Sequence, residues 1–225
     1  TTLIVHNYVF TLTLLKIRQS DYDESKQFQF EMEGDFRGHG NDSWAFNQKG
    51  IRFYTRDQYG YANKIDHKIF PTSPRTDFDV LIIRNAGSDN YPGGSAFFGR
   101  PTCHVRDAYI QTLADKHDLN VDTRRFKPCI VYLNGEYWGI YEMRERIDSD
   151  YTDYYYGQEE KWVDMLEYWG GLDVRYGDPL ATDWNNLYTY MTTNNLANTT
   201  AYNNVLDEID EMSFLDYFIL NTHIV

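Results

Sequence analysis

The run Cys129-Ile-Val-Tyr-Leu-Asn-Gly-Glu-Tyr-Trp-Gly-Ile-Tyr141 carries the strongest local instruction in the chain. Two stretches rich in β-branched and aromatic residues flank Asn134-Gly135. A two-residue type I′ turn needs positive φ at both central positions, which Asn and Gly tolerate best, so the spacing predicts an antiparallel hairpin. Upstream, Phe28, Phe30, Met32, Gly34 and Phe36 alternate with Gln27, Gln29, Glu31, Glu33 and Asp35, the period of a half-buried strand. Residues 8–14 and 51–55 repeat that theme, and 79–84 form a short apolar run expected to be a strand covered on both faces. Val105, Tyr109 and Leu113, spaced by four, predict a helix with those residues as its apolar face, starting near Pro101 and Thr102.

After Ile147 the pattern changes. Residues 148–156 are polar and Tyr-rich, and 169–179 read as loop. Asp183 is placed to cap a helix carrying Leu187, Tyr190 and Met191, and Thr200 another carrying Val205, Leu206 and Ile209. Ser213-x-x-Asp216 is a weak capping box for a helix whose Phe214, Leu215, Phe218 and Ile219 are expected to be mostly buried. Strands followed by helices predict an α+β fold of two lobes, a β-rich lobe over residues 1–147 and a helical one over 148–225.

Composition narrows the function. The chain of 225 residues is 42% hydrophobic and 24% charged, which is globular and needs neither disulfide nor metal to build a core. No apolar run reaches the ~18 residues of a membrane span. Residues 1–18 are broken by polar side chains with no basic segment before them, so they do not read as a secretory leader. With 34 acidic residues against 21 Lys and Arg the net charge is −13, which repels nucleic-acid backbones and argues against nucleic-acid binding. Any phosphorylated ligand then requires the few cations to be concentrated at its site, or a divalent ion. Cys103 and Cys129 form no zinc spacing; a single disulfide and two thiols both remain open. The 20 Tyr, 13 Phe and 5 Trp suit an extracytoplasmic, Tyr-rich domain or a sugar-binding surface.

Several loops place cations beside glycines. Arg37-Gly-His-Gly-Asn-Asp-Ser43 follows a strong strand, with Lys49 a few residues on; its backbone either cradles an anion or only satisfies turn geometry. Arg84 ends the 79–84 strand at the turn Asn-Ala-Gly-Ser-Asp89, as a ligand-facing cation or a snorkelling strand end. Asp107 lies early on the first helix, fit to pair with a strand lysine or to favour the helix N-terminus. Glu142, Arg144, Glu145 and Arg146 cluster where the β-rich part gives way to the helical one.

The string Val131-Tyr-Leu-Asn-Gly-Glu-Tyr-Trp-Gly-Ile-Tyr-Glu-Met-Arg-Glu-Arg-Ile-Asp148 closely resembles the hallmark of the CotH kinase family, the spore-coat protein H-like kinases. Arg37-Gly-x-Gly-Asn-x-Ser-Trp44 with Lys49, Leu81-Ile-Ile-Arg-Asn-x-Gly-Ser-Asp89, Arg106-Asp107 and Ser213-Phe-Leu-Asp-Tyr-Phe-Ile-Leu-Asn221 fit that family in order, over roughly residues 28–225. The resemblance implies an atypical protein-kinase-like fold with one αC-like helix in the β-rich lobe and a partial helical lobe. It implies binding of ATP with Mg or Mn, transfer of phosphate to a protein substrate, and a secreted, cell-surface or spore-coat setting. On that basis Lys49 holds the nucleotide phosphates under a cover formed by Arg37 to Ser43, Asp107 pairs with Lys49, Arg84 lines the phosphate side, and Glu145 sits near adenine or ribose. The family's catalytic and metal-binding aspartates are expected after Val225, so residues 1–225 alone are expected to be a fragment of an active parent and not to transfer phosphate themselves. The competing reading is a non-catalytic surface adhesion module that recognises protein or glycan through exposed Tyr and Trp.

Overall fold

The structure, a computed structural model, describes residues 9–10, 15–19, 28–32, 34–40, 43, 46–60, 62–89, 102–168 and 171–223. The expectations that rest on residues 11–14, Gln27, Glu33, Pro101 and Trp169-Gly170, and on Asn41, Asp42 and Trp44 of the Gly-rich turn, lie outside them. The chain divides into two compact units, Thr1–Tyr109 with Arg124–Arg146, and Ile110–Thr123 with Ile147–Val225. The sequence reading had kept 110–123 with the β-rich part; those residues group with the second unit instead.

The first unit is built on β1 (Val9–Phe10), β4 (Gly34–His39), β5 (Gly50–Thr55), β8 (Val80–Arg84), β9 (Phe126–Leu133) and β10 (Glu136–Arg144). They form one antiparallel sheet in the order β1-β4-β5-β8-β10-β9. Two further pairs stand beside it: β2 (Leu15–Gln19) with β3 (Phe28–Met32), and β6 (Ile65–Asp66) with β7 (Asp77–Phe78). The alternation expected as one strand over 27–36 is therefore two strands with different partners, β3 and β4. The hairpin β9–β10 turns at Asn134 and Gly135, with φ of 53° and 85°, as the turn chemistry requires.

Register explains how the sheet sorts its side chains. Residues directly opposite one another share a face. Gly38, Ile51, Ile83 and Met143 lie in one row, and Phe36, Phe53 and Leu81 in another. That face packs with Ile65, Ile69, Phe70, Phe78 and Tyr141 into the core, against which Cys129 and Val131 rest. The other face is polar: Arg37, Arg52, Ile82 and Arg144 form one row, and beside it His39 lies opposite Gly50 and Arg84 opposite Glu142.

The helix α1 (Arg106–Lys116) forms at the expected place but buries different residues. Val105 and Tyr109 are exposed, while Ala108 and Ala114 are buried. Small side chains let a helix approach its support closely; the larger apolar residues drew the sequence reading to the wrong stripe.

The second unit holds α2 (Ser149–Tyr156), the hairpin β11 (Met165–Tyr168) with β12 (Leu172–Tyr176), α3 (Thr182–Thr193), α4 (Thr199–Leu206) and α5 (Glu211–His223). Neither α2 nor the hairpin was expected. Helix α2 is capped by Asp148, whose carboxylate accepts from Tyr151 N, and ends at Gly157 with φ 63°. The remaining caps differ from the expected ones by a few residues: Asp178 accepts from Thr182 N ahead of α3, Asn198 from Thr200 N and Ala201 N for α4, and Asp210 from Ser213 N for α5. Expected to be buried, α5 instead shows Phe214, Leu215, Phe218 and Ile219 between 41% and 62% exposed, with Leu220 buried. Apolarity announced a helix that wants cover, not a cover within this unit. Among the described residues no helix is long and apolar enough to cross a membrane.

Candidate functional site: the arginine face of the sheet

Four arginines distant in sequence meet on the polar face of the sheet. Arg52 comes from β5, Arg84 from the end of β8, Arg144 from the end of β10, and Arg124 from the segment leading into β9; all four charges act on His39. Two carboxylates answer them. Arg84 Nη1 lies 3.3 Å from Asp107 Oδ2 and 3.5 Å from Glu142 Oε2. Arg144 Nη2 donates to the same Glu142 oxygen at 2.7 Å, and its Nη1 donates to Asp107 Oδ2. Arg144 Nε is buried and makes no hydrogen bond among the described residues. Among the described residues, guanidiniums from separate strands gather on one face of an acidic chain, the concentration of cations that an anionic ligand would demand.

Each member is held by local structure. Asp107 reaches Arg84 because Asp89, five residues beyond Arg84, holds the start of α1. Its carboxylate accepts from Cys103 N and Arg106 N, each at 2.9 Å, and pairs with the Arg106 guanidinium at 3.4 Å. Burial alone would raise the Asp89 pKa, but the Cys103 and Arg106 amides outweigh it and hold the carboxyl below its ordinary value. Asp107 is likewise lowered, with burial opposed by the charges of Arg144 and Arg84. Burial also lowers the Arg84 pKa, against the pull of Asp107. Gly87 (φ 54°) lies against the same guanidinium: a Cβ there would stand 3.1 Å from Arg84 Nη2.

Arg52 Nε donates to His39 Nδ1 at 2.9 Å, which fixes the imidazole as the tautomer protonated at Nε2. Desolvation, then the charges of Arg52, Arg124, Arg84 and Arg144, push the His39 pKa down to about 3.

The residues singled out from the sequence fall into four places. Arg84 and Asp107 are brought together as an ion pair. Lys49 was the expected partner of Asp107, but the ion pairs of Asp107 run to Arg84 and Arg144. The reason is positional: those two arginines end adjacent strands whose register faces the helix, whereas Lys49 precedes β5. Lys49 and Ser43 lie on the β4–β5 connection. Asn85, buried after Arg84, pins that connection to the end of β8 by donating to Gln48 O at 2.5 Å and accepting from Gly87 N at 3.1 Å. Ser43 Oγ occupies the space where a Gly40 side chain would begin. Arg37 is exposed and stacks over Tyr54, its guanidinium carbon 5.1 Å from the ring centroid. Glu145 stands apart: its carboxylate has no exposed surface and is paired with buried Arg75 at 3.3 Å, so it is held inside the first unit rather than presented to a ligand. His39, Asp89, Glu142, Arg144, Arg52 and Arg124 complete the constellation, and the sequence reading gave none of them an individual role. The register of the strands was the signal that joins them.

Both thiols are free. Burial pushes the Cys129 thiol up to about 11, so it stays a neutral packing residue. Among the described residues no three His, Cys, Asp or Glu side chains converge as a metal cluster.

No curated protein matches the chain. The family model described as CotH kinase protein matches residues 36–225, which takes in every residue of this site. The chain belongs to the CotH kinase family.

Proposed function

We propose that the first unit binds the phosphates of ATP through Arg84, held in place by a buried Arg144 network, and that the protein transfers the γ-phosphoryl group to a protein substrate outside the cytoplasm, on a cell surface or in a spore coat. The observation that carries the reading is the Arg84–Asp107 pair: a cation at the end of a sheet strand, oriented by a carboxylate in the first turn of the helix that follows. Protein kinases use a strand lysine and a helix glutamate in this way to position nucleotide phosphates. Arg84 takes the lysine's part, as a planar fork suited to bidentate phosphate contact. Arg144, 1% exposed and paired with both Asp107 and Glu142, fixes the two carboxylates that orient Arg84. Lys49 and Ser43, carried on the connection that Asn85 pins beside Arg84, close the phosphate side.

The donor set fits the anionic half of a nucleotide. A divalent ion such as Mg or Mn is commonly held by one or two carboxylates together with the phosphates themselves, and when bound it neutralises charge on the β- and γ-oxygens. Asp107 and Glu142 are already engaged by arginine and serve here to orient it. The contribution assigned to these residues is positioning and charge neutralisation, which supply most of the catalysis in phosphoryl transfer.

The test is a thermal unfolding scan with and without ATP and Mg. At a hundredfold excess over Kd, binding stabilises by about 2.7 kcal/mol, several degrees for a chain of this size. Wild type should show that shift and Arg84→Ala should show about half of it or less; no shift in wild type would rule out nucleotide binding at this site.

A further inference from the structure

His39 is not among the phosphate-binding residues, yet it lies opposite Gly50 on β5, next to the Ile51–Ile83 pair that adjoins Arg84. A neutral imidazole surrounded by guanidiniums is an unusual neighbour for a cation cluster. It occupies Arg52, whose Nε is spent on Nδ1 at 2.9 Å. Arg52, Arg124, Arg84 and Arg144 act on it, and further charged groups lie on the elements around it. Arg37 lies two residues away on β4, Arg52 is on β5, Arg84 on β8, Glu142 and Arg144 on β10, Arg124 ahead of β9, and Asp107 on α1.

We infer that His39 is a further ligand of the anion bound at this cluster, and that binding takes up one proton at His39 Nδ1, which releases Arg52 Nε to the anion. This inference rests on the arginine face being an anion site. The step balances simply: one proton leaves solvent and joins Nδ1, imidazole becomes imidazolium, and the Arg52 N–H that had donated to Nδ1 turns to an anion oxygen. A dianion placed among these arginines reverses the potential that keeps the ring neutral. Both ring nitrogens then donate, as imidazolium must. The free protein holds His39 unprotonated because burial and the four arginines oppose its charge; the bound anion removes the second of those causes.

Sulfate is the probe, because it carries two charges and no titrating proton between pH 5 and 8. Its Kd for the whole chain is measured across that range for wild type and His39→Gln, with chloride as counter-ion. For wild type the expected result is tightening toward acid that approaches tenfold per pH unit, against a flat profile for His39→Gln. The imidazole nitrogen spectrum of wild type, which needs no variant to fold, should show the Nε2–H tautomer without sulfate and imidazolium with it at pH 6. Sulfate binding that is pH-independent in wild type, with His39 neutral throughout, overturns the inference and leaves the anion site standing. No sulfate binding to wild type at any pH overturns both.

Discussion

At the scale of single residues, the site works by gathered cations held in place, and each part has its own signature. Arg84 and Asp107 form the pair that orients a phosphate-binding fork, so Arg84→Ala should weaken nucleotide binding by tenfold or more. Asp107→Asn should weaken it less, since Glu142 still contacts Arg84. Equilibrium titration with ATP and Mg separates the two. Glu145 makes the opposite prediction. Its carboxylate and Arg75 are both buried, and although Arg75 keeps Asp77 at 3.9 Å, losing the charged contact to Glu145 costs about 1.5–3 kcal/mol. Glu145→Gln should therefore lower the urea midpoint strongly, while the protein that remains folded binds nucleotide normally. For His39 the sign follows from linkage. Its folded pKa of about 3 lies below its ordinary value of 6.5, so the unfolded chain binds a proton that the folded chain refuses. Stability is fully present above pH 6.5 and is lost as pH falls through that window toward 3. Between pH 7 and 5 in an anion-poor buffer, wild type should lose about 2 kcal/mol more than His39→Gln, read from urea midpoints.

At the scale of elements, the turn and cap chemistry decides what is built, and close approach decides what is tolerated. Gly135 has positive φ but open space around it, so Gly135→Ala should cost about 1 kcal/mol of backbone strain. At Gly34 a Cβ would stand 2.1 Å from the Tyr54 carbonyl oxygen, a backbone atom of the neighbouring strand. Gly34→Ala must push β4 from β5 and should cost on the order of 3 kcal/mol. Denaturant unfolding of the two variants tests this ordering. The tether Asp89 belongs to this scale too: it binds the first turn of α1 to the strand that carries Arg84. Asp89→Ala should therefore mimic the loss of Asp107 in nucleotide binding, despite touching no ligand.

At the scale of the whole molecule, the local elements were legible and their assembly was not. Asn134-Gly135 announced its hairpin because the turn geometry admits few residues, and the alternation around Phe36 announced a strand because one face is buried. The strand's partners were hidden: nothing between Phe28 and Phe36 marks where β3 ends and β4 begins. The arginine face was hidden for the same reason. Arg52, Arg84, Arg124 and Arg144 are separated by 20 to 40 residues and meet only through register, which sequence spacing does not encode. Lys49 drew attention because it follows a glycine-rich turn, whereas the cation that meets Asp107 ends an apolar strand and resembled a snorkelling residue. Glu145 resembled a ligand contact because it follows the hairpin, yet burial gives it to Arg75. Helix α5 shows the converse limit, since an apolar pattern states that a helix needs cover without saying what covers it.

Guanidinium nitrogen resonances report directly on whether the arginine face meets nucleotide phosphate. In a titration of ¹⁵N-arginine-labelled protein with ATP and Mg, the Nε signals of Arg84 and Arg144 should move together and saturate with the same Kd. If ATP binds while both signals stay fixed, its phosphates lie elsewhere and the account of this site is contradicted.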